Sequence, residues 1–420
     1  MNRRTIAAIV ILCFPQAASG LQNLDEMYWP EEGKFPAYPL EPDERRVRFS
    51  VFGGVHRDSN PFRLSDGTNP LPTIGSTEKS DTVGRLGVGL NANLPISRQR
   101  LLFDVRVEGH DYRRFDVLDH TAYRGSATWK WQAGSQWSGD AGYSRRHFLA
   151  SLADLQAPIK DMITEDRAFA SAGYLFTPRW KIRGALDWTK WDHDEATRQA
   201  LDARIVSGTL GLDYVTPPGN FVGGQVKYSD GDYPNREVVA GSTVDNTYKE
   251  TELSGVVHWM VTGKSTLDGR LGYTWREHDQ VSQRDFDGVT GRASYDWFVA
   301  PKTLLNFAAW REIRSTEDVS ASYILGQGWG FGPAWAPTSK LVFQAKYIRE
   351  DRDYQGDPGF ILAGTSQRED TFRGINIGAG YTPRRDIHFS ISAETGKRDS
   401  NIFGRDYDYA AVSANARVRF

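Results

Sequence analysis

The chain has 420 residues, of which 25% are charged, and its formal net charge is −2 at pH 7. This near balance of charge argues against a nucleic-acid partner, and no apolar run is long enough for a membrane-spanning helix. The mean hydropathy is −0.53, yet the chain contains 41 Gly, 13 Trp, 18 Tyr, 21 Phe and a single Cys. That combination is unusual for a soluble enzyme.

Residues 1–20 have the features of a secretory signal peptide. Arg3 and Arg4 form a basic start, an apolar centre follows, and the segment ends in Ala-Ser-Gly. The apolar centre is too short to cross a bilayer, and small residues at the end are typical of a cleavage site. We therefore expect cleavage before Leu21 and export from the cytoplasm.

Cys13 lies inside this segment and admits an alternative, in which it is a lipidated cysteine. Leu12 stands where a small residue is expected before such a cysteine, so we favour simple cleavage. The mature chain then has no cysteine. It therefore enters an oxidising compartment without a disulfide. No metal site with thiol ligands is possible, and we expect no cofactor.

Residues 21–45 are rich in proline and acidic residues and show no periodicity. We interpret them as an extended periplasmic N-terminal arm. After this arm the character of the sequence changes and stays the same to the end of the chain.

Residues 46–420 alternate between apolar and polar side chains. In the stretch TLDGRLGYTWRE, Leu267, Leu271 and Trp275 fall on one face of a strand, whereas Asp268 and Arg270 fall on the other. Alternate residues of a strand face opposite sides, whereas a helix would scatter these groups around its axis. The segment is therefore predicted to be all-β.

The connections between these strands also alternate. Short ones that contain Pro or Gly, such as 132–136 and 216–220, are separated by longer polar segments such as 59–80 and 230–246. Alternating short and long connections with an even strand number are typical of outer-membrane proteins. They predict a transmembrane antiparallel β-barrel of about 18 strands, with short periplasmic turns and longer extracellular loops.

Aromatic residues next to the short turns support this interpretation. Trp131, Trp137, Trp180 and Trp297 lie at strand ends, as in the aromatic girdle of a membrane barrel. The alternative is a soluble β-sandwich, which would need a very large core to cover so many amphipathic strands.

The chain ends on Phe420, in mid-strand. A barrel in lipid must pair all of its backbone groups by closing on itself, so we expect this last strand to pair with the first. A terminal aromatic residue of this kind resembles the assembly signal that the barrel-insertion machinery reads in outer-membrane proteins.

The strand faces predict which charged side chains line the lumen, and Arg373 is among the cations assigned there. The candidates for solute contact are Arg106, Arg124, Arg146, Arg183, Lys227, Arg270, Arg276, Arg292, Lys346, Trp191 and Trp310. The cations could attract anionic or hydroxyl-rich solutes, or they could form cross-strand ion pairs that stiffen the wall. The two tryptophans could stack on sugar rings or simply pack in the wall.

The loop 150–166, ASLADLQAPIKDMITED, is less polar than the other long connections. It could fold inward as a constriction or form a packed cap over the rim. Histidines such as His56 and His258 are scattered over different strands, so no catalytic cluster or metal site is predicted and we do not expect an enzyme.

The first strand and its loop, RVRFSVFGGVHRDSNPFRLSD (46–66), resemble the opening of the β-barrel porin 2 family, with Asp58, Asn60 and Phe62 as its distinctive residues. More narrowly, they look like the EpsL-like outer-membrane proteins of exopolysaccharide operons, and the resemblance extends to Phe420. It implies export of a secreted polysaccharide across the outer membrane of a Gram-negative bacterium, together with a periplasmic export adaptor.

Two other functions stay open. The barrel could be a general or sugar-selective uptake porin, or it could be a barrel enzyme or structural adhesin. No outer loop dominates in length, which favours export over a porin with one long lumen loop, and the arm 21–45 could contact the adaptor.

Overall fold

In the computed structural model, residues 46–235, 237–239, 242–280, 282–315, 323–355 and 367–420 are described. They form a single 18-stranded sheet that closes into an antiparallel barrel, with a separate two-stranded hairpin. The prediction of an all-β transmembrane barrel is confirmed. The signal peptide and the arm 21–45 lie outside the described residues and stay predictions.

The strands are numbered in chain order. They are β1 Val47–Asp58, β2 Asp81–Ile96, β3 Gln99–Tyr112, β4 His120–Ala133, β5 Trp137–Leu149, β6 Met162–Thr177, β7 Trp180–His193, β8 Ala203–Val215, β9 Phe221–Asp232, β10 Glu237–Val239, β11 Ser242–Val244, β12 Tyr248–Thr262, β13 Ser265–His278, β14 Phe286–Ala300, β15 Thr303–Ser315, β16 Tyr323–Thr338, β17 Leu341–Gln355, β18 Glu369–Arg384, β19 Ile387–Ser400 and β20 Tyr407–Arg419.

Helical structure is confined to the connections. Two short α-helices are α1 Pro70–Ile74 and α2 Leu152–Leu155, and single 3-10 turns span Asp116–Leu118, Ala196–Leu201 and Ser282–Arg284. Within the described ranges, no helix has the length and apolar character needed to cross a membrane.

Each barrel strand pairs with its neighbours in the sequence, except that β9 pairs with β12 and leaves the hairpin of β10 and β11 outside the barrel. The short turns and long loops occur where the sequence predicts them. The loop boundaries shift slightly, because β6 begins at Met162 inside the predicted loop 150–166. The small hairpin inside 230–246 was not predicted.

The barrel closes between its first and last strands. Val51 of β1 is in register with Val418 of β20, and the backbone N–H of Phe420 donates to the carbonyl of Phe49 at 2.8 Å. Residue 46 and Phe420 therefore both lie at the end of the barrel that carries the short turns. This end is periplasmic in outer-membrane barrels.

The outer surface of the barrel is its apolar surface. Outward side chains at mid-strand are large and exposed, among them Leu86, Leu186, Leu210, Leu253, Leu271 and Ile391. Inward positions at mid-strand on the same strands, such as Asp187 and Arg270, are mostly charged, polar or small. This arrangement is the reverse of a soluble sandwich and fits a barrel wall in contact with lipid.

Arg373 corrects the predicted face assignment. It lies on the same face of β18 as the exposed Ile375 and Ile377, so it points out of the barrel and not into the lumen. Beyond the apolar belt the outer face of a strand leaves the hydrocarbon, and charged side chains are tolerated there. Alternation alone does not show at which residue this happens.

The topology can be tested by cysteine labelling, because the expected mature chain has no cysteine. Phe403→Cys lies in the exposed connection between β19 and β20, and Gly263→Cys lies in an open short turn. On intact cells, a bulky maleimide that cannot cross the outer membrane should label Phe403→Cys and leave Gly263→Cys unlabelled. The opposite labelling pattern would show that the predicted orientation of the barrel in the membrane is wrong.

Candidate functional site: the barrel lumen

The structure places every predicted solute-contact side chain on the inward face of its strand. Each is in register with other inward positions, whereas its neighbours along the strand point away from the lumen. These side chains are Arg106, Arg124, Arg146, Arg183, Lys227, Arg270, Arg276, Arg292, Lys346, Trp191 and Trp310. Their location is that of the lumen, while their contact with a solute stays a prediction.

Three arginines form a row across one side of the lumen. Arg106, Arg124 and Arg146 are in direct register on β3, β4 and β5. Asp104 lies 3.8 Å from the Nε of Arg106 and 3.5 Å from the Nε of Arg124. The Arg124 side chain is 46% exposed. Like charges directly opposite on neighbouring strands repel, so this partly hydrated row favours an anion beside it.

Arg146 at the end of the row is held by Glu165. Its Nε and terminal nitrogen donate to the carboxylate at 3.0 and 2.7 Å, and the indole N–H of Trp191 donates to the same carboxylate at 3.0 Å. Trp191 is buried and packs with Ile163 and Ala203. Of the two alternatives for this ring, packing in the wall is the one that its surroundings favour.

On the other side of the lumen, Glu350 is the centre of a buried charge network. The carboxylate accepts from the indole N–H of Trp310 at 2.8 Å and from Arg352 at 2.6 Å, and Arg314 lies 2.8 Å away. Glu350 is fully buried, and Trp310 packs beside it with Phe372. A buried carboxylate needs several such donors, because burial removes its hydration.

The other predicted cations are also next to acidic or polar groups. Arg270 pairs with Glu252 and lies 3.3 Å from Glu312, and the latter is 3.8 Å from Arg292. Arg276 lies 2.6 Å from Glu250, and Arg183 lies 2.7 Å from Asp213. Lys227 is in register with Glu252, and Lys346 is in register with Asn376. These ion pairs form an extensive lattice in the wall of the barrel between β7 and β15.

Three long loops pack together at the extracellular end, and we call residues 59–80, 113–119 and 150–161 the extracellular cap. Their shared core consists of Phe62, Leu64, Ile74, Phe115, Leu118 and Leu152. The rings of Phe62 and Phe115 meet edge to face at 4.7 Å. The loop 150–161 is therefore a packed part of this cap.

The cap is fastened to the inner wall of the barrel. The guanidinium of Arg63 lies 3.5 Å from the ring centre of Tyr409, an inward residue of β20, and its terminal nitrogen donates to Asp58 at 2.6 Å. The side-chain amide of Gln156 donates to the backbone carbonyl of Arg63 at 3.0 Å. Because Tyr409 faces the lumen, the cap reaches inward and narrows the mouth as well as covering the rim.

A second attachment joins the cap to the connection between β7 and β8. The carboxylate of Asp161 accepts from the backbone N–H of Glu195 at 3.2 Å and lies 3.6 Å from Arg198. Burial raises the pKa of the Asp161 carboxyl above its ordinary value.

Accessibility changes along the lumen within the described part of the chain. Close to the cap, inward side chains such as Glu350 and Phe372 are buried. Toward the periplasmic end, the side chains of Lys130 and Asp268 are 37% and 51% exposed. Burial also varies around the wall, because Arg124, near the extracellular end of β4, is 46% exposed, whereas Arg183 and Asp213, near the periplasmic ends of β7 and β8, are buried.

Comparison with known protein families identifies the family of this barrel. The family model described as "Putative beta-barrel porin 2" matches residues 58–420. The chain belongs to this porin family. The resemblance seen in the first strand and loop is confirmed at the level of the family, whereas the narrower EpsL-like assignment is not shown.

Solved structures resemble this porin at the level of fold alone. OpdK from Pseudomonas aeruginosa is 8% identical, with 89% of this chain and 99% of that chain covered and a TM-score of 0.47. A BenF-like porin from Pseudomonas fluorescens Pf-5 has the same identity, coverage and TM-score. OccK2 (OpdF) from P. aeruginosa is 10% identical, with 89% of this chain and 98% of that chain covered and a TM-score of 0.47. Comparison with curated proteins finds no match.

The Glu350 network gives a test of wall stability. In Glu350→Ala, buried Arg352 and partly buried Arg314 lose their carboxylate, and we expect the free energy of unfolding to fall by about 3 kcal/mol. Thermal unfolding of the purified porin in detergent measures this change. As the control, Glu78→Ala removes an exposed partner of Arg114 and should change stability by less than about 1 kcal/mol. Equal stability of the two variants would contradict a structural role for Glu350.

Proposed function

We propose that this porin is a passive channel for small solutes across the outer membrane of a Gram-negative bacterium. The observation that carries the proposal is the extracellular cap, whose core packs at the mouth of the barrel and whose Arg63 contacts Tyr409 on the inner wall. A polysaccharide chain needs a wide and continuous passage, whereas a small solute can pass through a narrow opening beside the cap. Uptake by diffusion is therefore better supported by the geometry than export of a polymer.

The charges of the lumen favour anionic solutes within that class. Arg106, Arg124 and Arg146 form the partly hydrated row on one side, whereas the cations around Glu350 on the other side are buried in ion pairs. A cationic surface with low-dielectric walls raises the local concentration of anions. The row is thus the part of the lumen that we expect a small anion to meet.

The alternative function, polysaccharide export, rests on sequence resemblance and not on the geometry of the lumen. It comes from the resemblance to EpsL-like proteins, and the predicted contact with a periplasmic adaptor falls on the arm 21–45, outside the described residues. Export through this barrel would require the cap to move aside. Loss of surface polymer in a deletion strain, with unchanged diffusion of small solutes, would restore export as the function.

Ion selectivity in planar bilayers tests the proposed channel. The purified porin should conduct and prefer anions, and Arg106→Glu/Arg124→Glu/Arg146→Glu should shift the reversal potential toward cation preference, because the row changes sign. The matched control is Arg145→Glu/Lys190→Glu/Arg204→Glu, which alters three cations on the outward face of neighbouring strands. A barrel without conductance, or a reversal potential unaffected by the first variant, would contradict the proposal.

The cap provides a second test. Arg63→Ala removes the contacts with Asp58 and Tyr409, so the cap should loosen and single-channel conductance should rise or fluctuate more. Arg98→Ala is the control, because Arg98 binds a backbone carbonyl of a periplasmic turn. If Arg63→Ala and wild type conduct identically, the cap does not limit flow.

A further inference from the structure

The outer surface of the barrel carries a second row of cations, separate from those of the lumen. Arg349 of β17 is in direct register with Arg373 of β18, which is in register with Lys397 of β19. The three side chains are 44%, 48% and 61% exposed. We call these three residues the outer cation row.

The row lies at the extracellular border of the apolar belt. Tyr347 and Ile375 lie on the same outer face, one position closer to the periplasm than Arg349 and Arg373. Trp329 is in register with Arg349 at the end of the row. The rings of Trp329 and Tyr347 are 5.1 Å apart. Exposed aromatic residues at this level mark the membrane interface, so the row lies at the depth of the outer-leaflet headgroups.

Nearby carboxylates compensate the row only in part. Asp399 lies 3.4 Å from Arg373 and 2.9 Å from Lys397, and Asp351 lies 3.8 Å from Arg349. Both acids are one position further from the apolar belt than the cations. Asp408, the register partner of Lys397, is at the far end of the row. The cations are therefore nearer to the hydrocarbon than Asp351 and Asp399, and Asp408 is the one of these three acids that lies level with them.

Another outward row on the barrel is arranged differently. Arg145 is in register with Asp166, which is followed by Lys190, Arg204 and Asp232. At most two cations are adjacent in this row, and Asp166 and Asp232 lie beside them in register, so its charges largely compensate one another. Three adjacent cations repel each other instead, and a bound anion would relieve that repulsion.

We propose that the outer cation row binds the phosphate group of a lipid in the outer leaflet of the membrane. Two guanidinium groups and an ammonium group match the several oxygens of a phosphate, because charge-assisted hydrogen bonds to phosphate are among the strong ones. The apolar belt directly below the row receives the acyl chains. This inference rests on the outer-membrane location of the barrel but not on what the channel transports.

Binding of purified lipid A tests the proposal with the whole porin in detergent micelles. Wild type should bind the phosphorylated lipid and should bind a chemically dephosphorylated form at least about tenfold more weakly. Arg349→Gln/Arg373→Gln/Lys397→Gln should reduce binding of the phosphorylated lipid by a similar factor. Equal binding of the two lipids by wild type would overturn the proposal.

The matched control is Arg145→Gln/Lys190→Gln/Arg204→Gln, which also removes two arginines and one lysine from the outer face. It should retain the wild-type affinity, and equal loss in both triple variants would overturn the assignment to this row. Resistance of the folded band to detergent on unheated gels verifies that each variant is folded. Inorganic phosphate alone should compete only weakly, because it lacks the acyl chains, and competition as strong as that of the lipid would refute a lipid site.

Discussion

Closure of the backbone hydrogen-bond ladder is the constraint on which the rest of this structure depends. A strand in lipid has no water to satisfy its amide and carbonyl groups, so the sheet must have no free edge. The pairing of β1 with β20, from Ser50 opposite Arg419 to Asp58 opposite Ala411, removes that edge. The last residue, Phe420, extends the ladder by its contact with Phe49.

Closure also explains the charge pairs of the interior. Once the outward positions of each strand are apolar, the polar residues of the sequence are collected inside one enclosed space. Carboxylates such as Glu350 and Glu165 lose much of their hydration there, and each is held by arginine and by an indole N–H. The lumen wall is therefore stiffened by the same residues that give it charge. The ion-pair alternative for these cations is seen in the structure, whereas contact with a solute is the proposal.

The two cation rows place the same local pattern on opposite sides of the barrel wall. Arg106, Arg124 and Arg146 lie in register inside the barrel, where we propose that they meet a small anion. Arg349, Arg373 and Lys397 lie in register outside, where the bilayer provides anionic headgroups. The spacing is the same in both rows, and the side of the wall determines what each row can meet.

The sequence by itself determined the barrel, its strand number, the order of turns and loops, and the division of each strand into two faces, because alternation and turn chemistry are local properties of the chain. It did not determine that Trp310 and Glu350 would share a buried network, or that Gln156 would bind Arg63, since these partners are 40 and 93 residues apart. Nor did it show the outward position of Arg373. Alternation separates two faces, but only the closed barrel decides which face meets lipid, which meets the lumen, and where along each strand the lipid ends.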